Sequence, residues 1–313
     1  MTYVLFTDTH FGVKQNSQMW LNSQMEFIYE QFIPHIKSIK DNVTVVHLGD
    51  VFDSRSTIST YVATQVVKAF KDIRSVCSEF IVIGGNHDFY SPNSDEVDSI
   101  NLLLHNIGLT IVTKEILRRD NNYFIPWYKY GEPIELVEGG KVFVHADIVM
   151  EKIPPIYTGF KVFSGHVHIP SIHEGRNIYN LGSCYALNFA DANSMRGFYI
   201  LKDDIVEFIP NRHSIEFWRI HDNGIYGIED TIKPYDYIEV YMSQVKMMDQ
   251  LYMDDLNKFI SKYKNALIIP KTEELDSMDM EKFEGYDISV IVKDMVPDNL
   301  KDKFERVLQK AMC

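Results

Sequence analysis

A repeated pairing of apolar segment and polar cluster constrains this chain more than any other feature. Tyr3 to Thr7 runs into Asp8-Thr9-His10, Val43 to Leu48 into Gly49-Asp50, and Phe80 to Ile83 into Gly84-Gly85-Asn86-His87-Asp88. Between these short segments, Gln18 to Lys40 and Thr57 to Val76 carry apolar residues at helical spacing. Pro34 is placed to kink or divide the first of them. Asp95 to Asn106 reads as a further helix. A βαβα order of this kind predicts an α/β fold with a largely parallel sheet and helices on its faces.

After Leu109 the texture becomes strand-rich. Leu109 to Thr113, Asn122 to Ile125, Lys141 to His145, Lys161 to Ser164, Asn177 to Leu181, Gly197 to Leu201 and Ile205 to Ile209 all read as extended. Gly139-Gly140 and Asp203-Asp204 supply turns. The first unit is expected to span residues 1–220. Tyr237 to Met242, Met253 to Tyr263 and Ala266 to Ile269 suggest a small β-α-β unit over 221–272. In 273–313, an acidic, Met-rich stretch precedes an amphipathic segment, Asp298 to Met312, with Leu300, Phe304, Val307 and Leu308 on its apolar stripe.

In open α/β sheets ligands gather beyond the carboxyl ends of the strands. Asp8, His10, Asp50, Asn86 and His87 occupy such positions, as do His145 after Val142-Phe143-Val144 and His166 and His168 after Val162-Phe163. Carboxylates, imidazoles and one amide oxygen, without a thiolate, suit Mn, Fe, Zn or Mg better than a soft metal. His166 and His168 are expected on the same side of a strand by period two. Taken alone, Asp8 reads equally as a cap or turn residue, and His145 as an ordinary core histidine. His35, His47, His105, His173, His213 and His221 match no such pattern and read as structural or surface groups. Trp127 and Tyr128 are assigned to packing, with a nucleic-acid groove as the alternative.

The net charge of −13 argues against a protein that coats nucleic acid through a general positive field. It leaves a nuclease open, because two divalent cations add about +4 locally. No apolar run approaches the ~18 residues of a membrane span, and the first residues carry no charged leader. Cys77, Cys184 and Cys313 are widely spaced and read as reduced thiols. Together these features predict a cytoplasmic protein.

Asp8-Thr9-His10, Gly49-Asp50-Val51-Phe52-Asp53, Gly85-Asn86-His87-Asp88, His145 and Gly165-His166-Val167-His168 resemble, in order, the five motifs of the calcineurin-like metallophosphoesterases. The resemblance implies a four-layer αββα sandwich of two facing mixed sheets, followed by a small α/β cap. It further implies two divalent metal ions. Asp8, His10, Asp50 and His168 would hold one; Asp50, Asn86, His145 and His166 would hold the other, with Asp50 bridging. His87 would not be a ligand. It would contact the transition-state oxygens or protonate the leaving alkoxide.

A narrower likeness, covering roughly Thr2 to Ile220, is to the SbcD-type DNA repair nucleases and their phage branch. It rests on Leu48-Gly49-Asp50-Val51-Phe52-Asp53-Ser54-Arg55, Ile125-Pro126-Trp127, Ser164-Gly165-His166-Val167-His168, Leu181-Gly182-Ser183, Arg196-Gly197-Phe198 and Phe208-Ile209-Pro210-Asn211. This likeness implies a Mn-dependent exonuclease or endonuclease acting on DNA ends in recombination and repair. It also implies an SbcC-type coiled-coil ATPase partner that binds the C-terminal tail, and a homodimer formed through the helices near Thr57 to Val76 and Asp95 to Asn106. Many cellular members carry a histidine where this chain has Asp53, which leaves the balance of exonuclease and endonuclease action open. Asp53 and Arg55 are candidate substrate contacts. The Gly-Asp-x-x-Asp-Arg-Gly and GNHE patterns of protein phosphatases are absent. A small-molecule phosphodiesterase or phosphomonoesterase is the principal rival, and a non-catalytic scaffold is disfavoured because every ligand position is filled.

Overall fold

The computed structural model of the protein describes residues 2–132, 135–137, 139–148, 159–228, 231–263 and 265–270. The apolar segments that precede the first motifs are neighbours in one six-stranded sheet. Its order is Ile205–Pro210, Gly197–Lys202, Thr2–Phe6, Val43–His47, Glu79–Ile83, Thr110–Val112. The last four strands are parallel, and the first two add an antiparallel hairpin. Thr2–Phe6 and Val43–His47 are buried along their whole length. That is why they read as unbroken apolar runs rather than alternating ones.

Helices cover one face of this sheet. Ser59 caps Thr60–Ser75 by accepting from the Val62 amide at 3.1 Å. The helix then buries Val62, Val66, Ala69, Phe70 and Ile73, one stripe at three- and four-residue spacing. Gln18 to Ser38 forms one helical run in spite of Pro34. An α-helix, Gln18–Glu26, widens into a π-helical stretch, Phe27–Phe32, and resumes as Ile33–Ser38. Pro34 lies in the first turn of that last piece. The wider turns before it remove the demand for its missing N–H.

The second six-stranded sheet has the order Ser171–His173, Ile178–Asn180, Lys161–Gly165, Lys141–His145, Asn122–Ile125, Leu117–Arg119. Its four inner strands are parallel and its edge strands antiparallel. Phe124, Phe143, Phe163 and Tyr179 form an aromatic ladder across it, with centroid spacings of 4.9, 5.4 and 5.1 Å. The ladder packs against Tyr3, Leu5, Val46, Ile81, Ile83 and Leu201 of the first sheet. The two sheets therefore face one another, as in the expected sandwich. On the outer face Tyr123, Val142, Val144 and Val162 are covered, among the described residues, by Ile116, Tyr130, Leu136, Ile148 and Phe160.

Two sequence expectations change. The helix predicted over Asp95 to Asn106 is confined to Ser99–Leu104, followed by a 3-10 turn, His105–Ile107. Ser94–Asp98 instead pairs with Phe89–Ser91 as a hairpin, and Asp98 caps the helix by accepting from Asn101 N at 2.6 Å. Further, Phe217–His221, most of which the division at residue 220 left with the first unit, heads a three-stranded parallel sheet with Tyr237–Met242 and Asn265–Pro270. The helix Gln250–Ser261 packs Tyr252, Leu256 and Phe259 onto Ile220, Ile238, Val240 and Met242 of that sheet. The acidic stretch and the Asp298 to Met312 segment lie outside the described residues. No helix among the described residues is long and apolar enough to cross a membrane.

Phe143 stands at the centre of the inter-sheet contact, stacked on Phe124 and Phe163 and 5.3 Å from Tyr3. Phe143→Ala should destabilise the protein by about 3–5 kcal/mol, measured by urea unfolding. A loss below about 1 kcal/mol would mean that the ladder does not hold the sheets together.

Candidate metal centre

The polar clusters converge because the chain leaves both sheets at the same rim. Beyond the strand ends, the segments after Thr2–Phe6 and Val43–His47 continue to pair. Asp8 N donates to Gly49 O, His10 N to Asp50 O, Phe11 N to Val51 O and Asp53 N to Phe11 O, all at 2.9–3.1 Å. The buried His47 ring supports this zipper: Gly49 N donates to Nδ1, Nε2 donates to Thr9 Oγ1, and that hydroxyl donates to Val51 O. His47 thus has the structural role expected of it.

Three glycines let the loops close up. A Cβ on Gly49 would lie 2.5 Å from His145 Nδ1, one on Gly85 2.3 Å from the Asp50 amide nitrogen, and one on Gly165 2.3 Å from Thr7 Oγ1. Each glycine immediately precedes a candidate ligand: Asp50, Asn86 and His166. Neither Gly84 nor Gly85 has positive φ; for Gly85 the need is close backbone approach. Strain falls on the ligands themselves, since Asp8, His10, Asp50 and His166 have φ of 51°, 42°, 54° and 81°.

The donor atoms form two groups around Asp50. On one side His10 Nε2 and His168 Nε2 are 3.2 Å apart, Asp8 Oδ1 is 3.8 Å from each, and Asp50 Oδ2 is 3.7 Å from His10 Nε2. On the other, Asn86 Oδ1 lies 3.0 Å from His145 Nε2 and 2.8 Å from His166 Nδ1, and Asp50 Oδ1 is 3.4 Å from His145 Nε2. Asp50 thus turns one oxygen to each group. The buried carboxylate-to-imidazole distances of 3.7–3.8 Å exceed hydrogen-bond length and leave room for an ion held by both. Hard oxygen donors and imidazoles fit a divalent metal of the Mn, Fe, Zn or Mg type. All seven predicted ligand residues lie in these two groups, four around each and Asp50 in both.

The expected shared strand face of His166 and His168 is not found. The strand ends at Gly165, and the positive φ of His166 breaks the alternation, so the two rings enter different groups.

Electrostatics follow from the burial. Burial pushes His10 and His166 down, to about 3 and about 4, so both are neutral at pH 7. Burial opposes a charge on His145 as well, but the Asp50 carboxylate beside it prevails and raises His145 to about 9. Asp50 is correspondingly held below the usual carboxylate range by His145. His145 Nδ1 donates to Leu48 O at 2.7 Å, which aims Nε2 into the site. Asp8 is oriented by Thr7 Oγ1 at 2.6 Å and by His166 N.

His87 stands beside these donor groups, close enough to His10 and Asp50 to form a third possible ligand set with them. Its Nδ1 donates to Asp53 O at 2.6 Å, its amide donates to Asp50 Oδ1 at 2.8 Å, and its ring packs edge-on to His10 at 4.9 Å. Asp53 therefore enters the site through its backbone carbonyl, and its Oδ1 lies 3.6 Å from His10 Nδ1. Arg55 lies elsewhere, lining a groove with Ser56, Ile58, Tyr90, Val97 and Leu102. Trp127 packs on His166 at 4.8 Å, and Tyr128 on Phe89 at 4.8 Å, in keeping with packing roles.

Sequence reasoning gave Asp88 no separate role. Its buried carboxylate accepts from Asp50 N (2.8 Å), Val51 N (2.9 Å), Phe52 N (3.4 Å) and Gly85 N (2.9 Å). It ties the Asp50 loop to the Asn86 loop. The signal was the fourth letter of Gly85-Asn86-His87-Asp88, whose type fits acceptance of several N–H groups.

Residues 1–183 match the calcineurin-like phosphoesterase family, and the chain belongs to that family. It is a metal-dependent phosphoesterase. The chain is also similar to exonuclease subunit 1 of Enterobacteria phage T4, with 24% identity over 340 aligned positions, covering 97% of this chain and 95% of the phage protein.

Two predictions follow from the site. Asp88→Asn replaces one acceptor by an N–H₂ group facing backbone donors. It should cost about 1–3 kcal/mol in urea unfolding and weaken metal binding; unchanged stability and metal affinity would refute the clamp. A metal binds only deprotonated His145, so loading below pH 9 should release that proton and affinity should rise with pH, levelling above about 9. Calorimetry in two buffers of different ionisation enthalpy reads this directly, and no buffer dependence at pH 7 would count against it.

Proposed function

We propose that this chain is the nuclease subunit of a DNA end-processing complex and hydrolyses phosphodiester bonds with two manganese ions. The observation that carries the reading is the Asp50 carboxylate, placed with one oxygen toward each of two mixed N/O donor groups. Asp8, His10, Asp50 and His168 would hold one ion; Asp50, Asn86, His145 and His166 the other. Bound there, two divalent ions would supply Lewis acidity to a phosphoryl oxygen and a nucleophile drawn from water.

The chain's own residues prepare that chemistry. His87, with Nδ1 committed to Asp53 O, presents Nε2 as the atom that carries a proton to the leaving oxygen or hydrogen-bonds a transition-state oxygen. Trp127 packs its ring against His166 at one side of the site. Asp53 orients the His87 ring through its backbone carbonyl.

DNA as substrate is supported by the likeness to the phage exonuclease subunit over nearly its full length. The word subunit in that protein's name supports a partner, which we take to be an SbcC-type coiled-coil ATPase. A net charge of −13 agrees, because the basic surface that DNA needs would then come from the partner. Exposed Tyr90, Val97 and Leu102 line the Arg55 groove, on the hairpin and the helix Ser99–Leu104, and support a homodimer through this face. The complex would work in the cytoplasm, in DNA recombination and repair.

The test is cleavage of end-labelled linear duplex DNA by the purified chain, with and without a coiled-coil ATPase partner, in Mn, Mg or EDTA. Mn-dependent loss of DNA, abolished by EDTA and by Asp50→Ala and reduced at least 100-fold by His87→Ala, is expected. Hydrolysis of an aryl phosphodiester with DNA left intact even in the partner's presence would transfer the reading to a small-molecule phosphodiesterase.

A further inference from the structure

His168 differs from the other candidate ligands in its support. It lies on an irregular segment between the strands Lys161–Gly165 and Ser171–His173, whereas Asp8 and Asp50 belong to the hydrogen-bonded zipper at the sheet rim. Its own carbonyl is where the protein takes hold of it. Ser183 N donates to His168 O at 3.0 Å. The guanidinium of Arg196 donates to the same oxygen through Nη1. Gly182, at φ 72°, brings the 182–183 backbone so close that a Cβ there would meet His168 O at 2.7 Å.

Arg196 is a costly residue to bury. Its side chain is among the largest fully buried ones in the protein. Only a dense set of partners sustains a charge there. Nη2 pairs with Asp191 Oδ1 at 3.0 Å and lies 3.4 Å from Asp191 O, and Nη1 also reaches Ser183 Oγ at 3.3 Å. Asp191 is anchored in turn by Leu187 N at 2.8 Å and Asn188 N at 3.3 Å. Arg196 thus bridges a carboxylate fixed in the 187–191 turn and the backbone of a metal-ligand residue. A lysine cannot do both, because one ammonium lacks the planar fork.

We infer that Arg196, held by Asp191, is a positioning residue that fixes the backbone of His168 and so sets the affinity of the metal position shared by Asp8, His10 and His168. This rests on the metal assignment of the proposed function. It adds a charged pair, Asp191–Arg196, outside the candidate ligand set. Removing outer partners of metal ligands costs about 10–100-fold in affinity. A loss of that size is expected at one of the two metal positions.

The experiment is a Mn²⁺ titration of the full chain, free Mn²⁺ being read by electron paramagnetic resonance, for wild type, Arg196→Met, Arg196→Lys, Asp191→Asn and His168→Ala. His168→Ala identifies the step in the isotherm that belongs to its position. Arg196→Met should weaken that step by about 10–100-fold and leave the other unchanged. In the His168→Ala background Arg196→Met should alter nothing further. Asp191→Asn should reproduce part of the loss, and Arg196→Lys should restore little of it. Should Arg196→Met fail to fold, the lysine and asparagine variants carry the same test, with circular dichroism and urea midpoints checking their folds. Asp236→Asn, in a buried clamp on Glu216, Trp218 and Lys233, is the structural control and should lower stability while leaving the isotherm intact. Folded Arg196 and Asp191 variants with wild-type isotherms would overturn the inference. A wild-type chain that takes up no Mn²⁺ would instead overturn the metal assignment.

Discussion

The structure turns on one buried carboxylate. Asp50 is almost wholly removed from water between two groups of imidazoles. An unpaired charge in such a place would cost several kcal/mol. The raised His145 supplies a counter-charge, a part that bound cations could also play. Asp50 cannot be carried by its own loop alone, because a loop of such strained φ would relax. Asp88 prevents that by gathering the amides of residues 50, 51, 52 and 85 onto a single carboxylate. The site is therefore a carboxylate facing both donor groups, supported by a second carboxylate in contact only with backbone.

That arrangement explains where the strain is stored. Non-glycine residues in the left-handed region cost about 1 kcal/mol or more each, and four of the candidate ligands adopt it. Two six-stranded sheets with a continuous aromatic interface are stiff enough to impose it. The glycines before Asp50, Asn86 and His166 serve the same end, since each lets one rim loop touch another without an intervening Cβ. Fold and site are thus coupled through backbone contact at the rim, and side-chain identity at the ligands is only half of the specification.

This coupling also decides what could be read from the sequence. The seven candidate ligands and His87 were legible because each follows a recognisable apolar strand and has a donor type that a loop has little reason to hold otherwise. Most strands of both sheets were legible for the same reason. Asp95 to Asp98 was misread as helix because Asp and Glu carry no strand signal; pairing of Ser94–Asp98 with Phe89–Ser91 decides its state. Pro34 suggested a break that a π-helical widening absorbs. The period-two reading of His166 and His168 failed because one positive φ resets the direction of the chain. Asp88 and Arg196 reach segments distant in sequence, which no local spacing records.

The acidic balance bears on which ligands the surface can attract more than on the fold. A chain of net charge −13 repels a polyanion at long range. At the rim, however, carboxylates and imidazoles gather in donor sets that would suit divalent cations, and with ions in place the local sign would reverse. Attraction for a phosphate would then be confined to that rim, with the rest of the acidic surface opposing a longer polyanion.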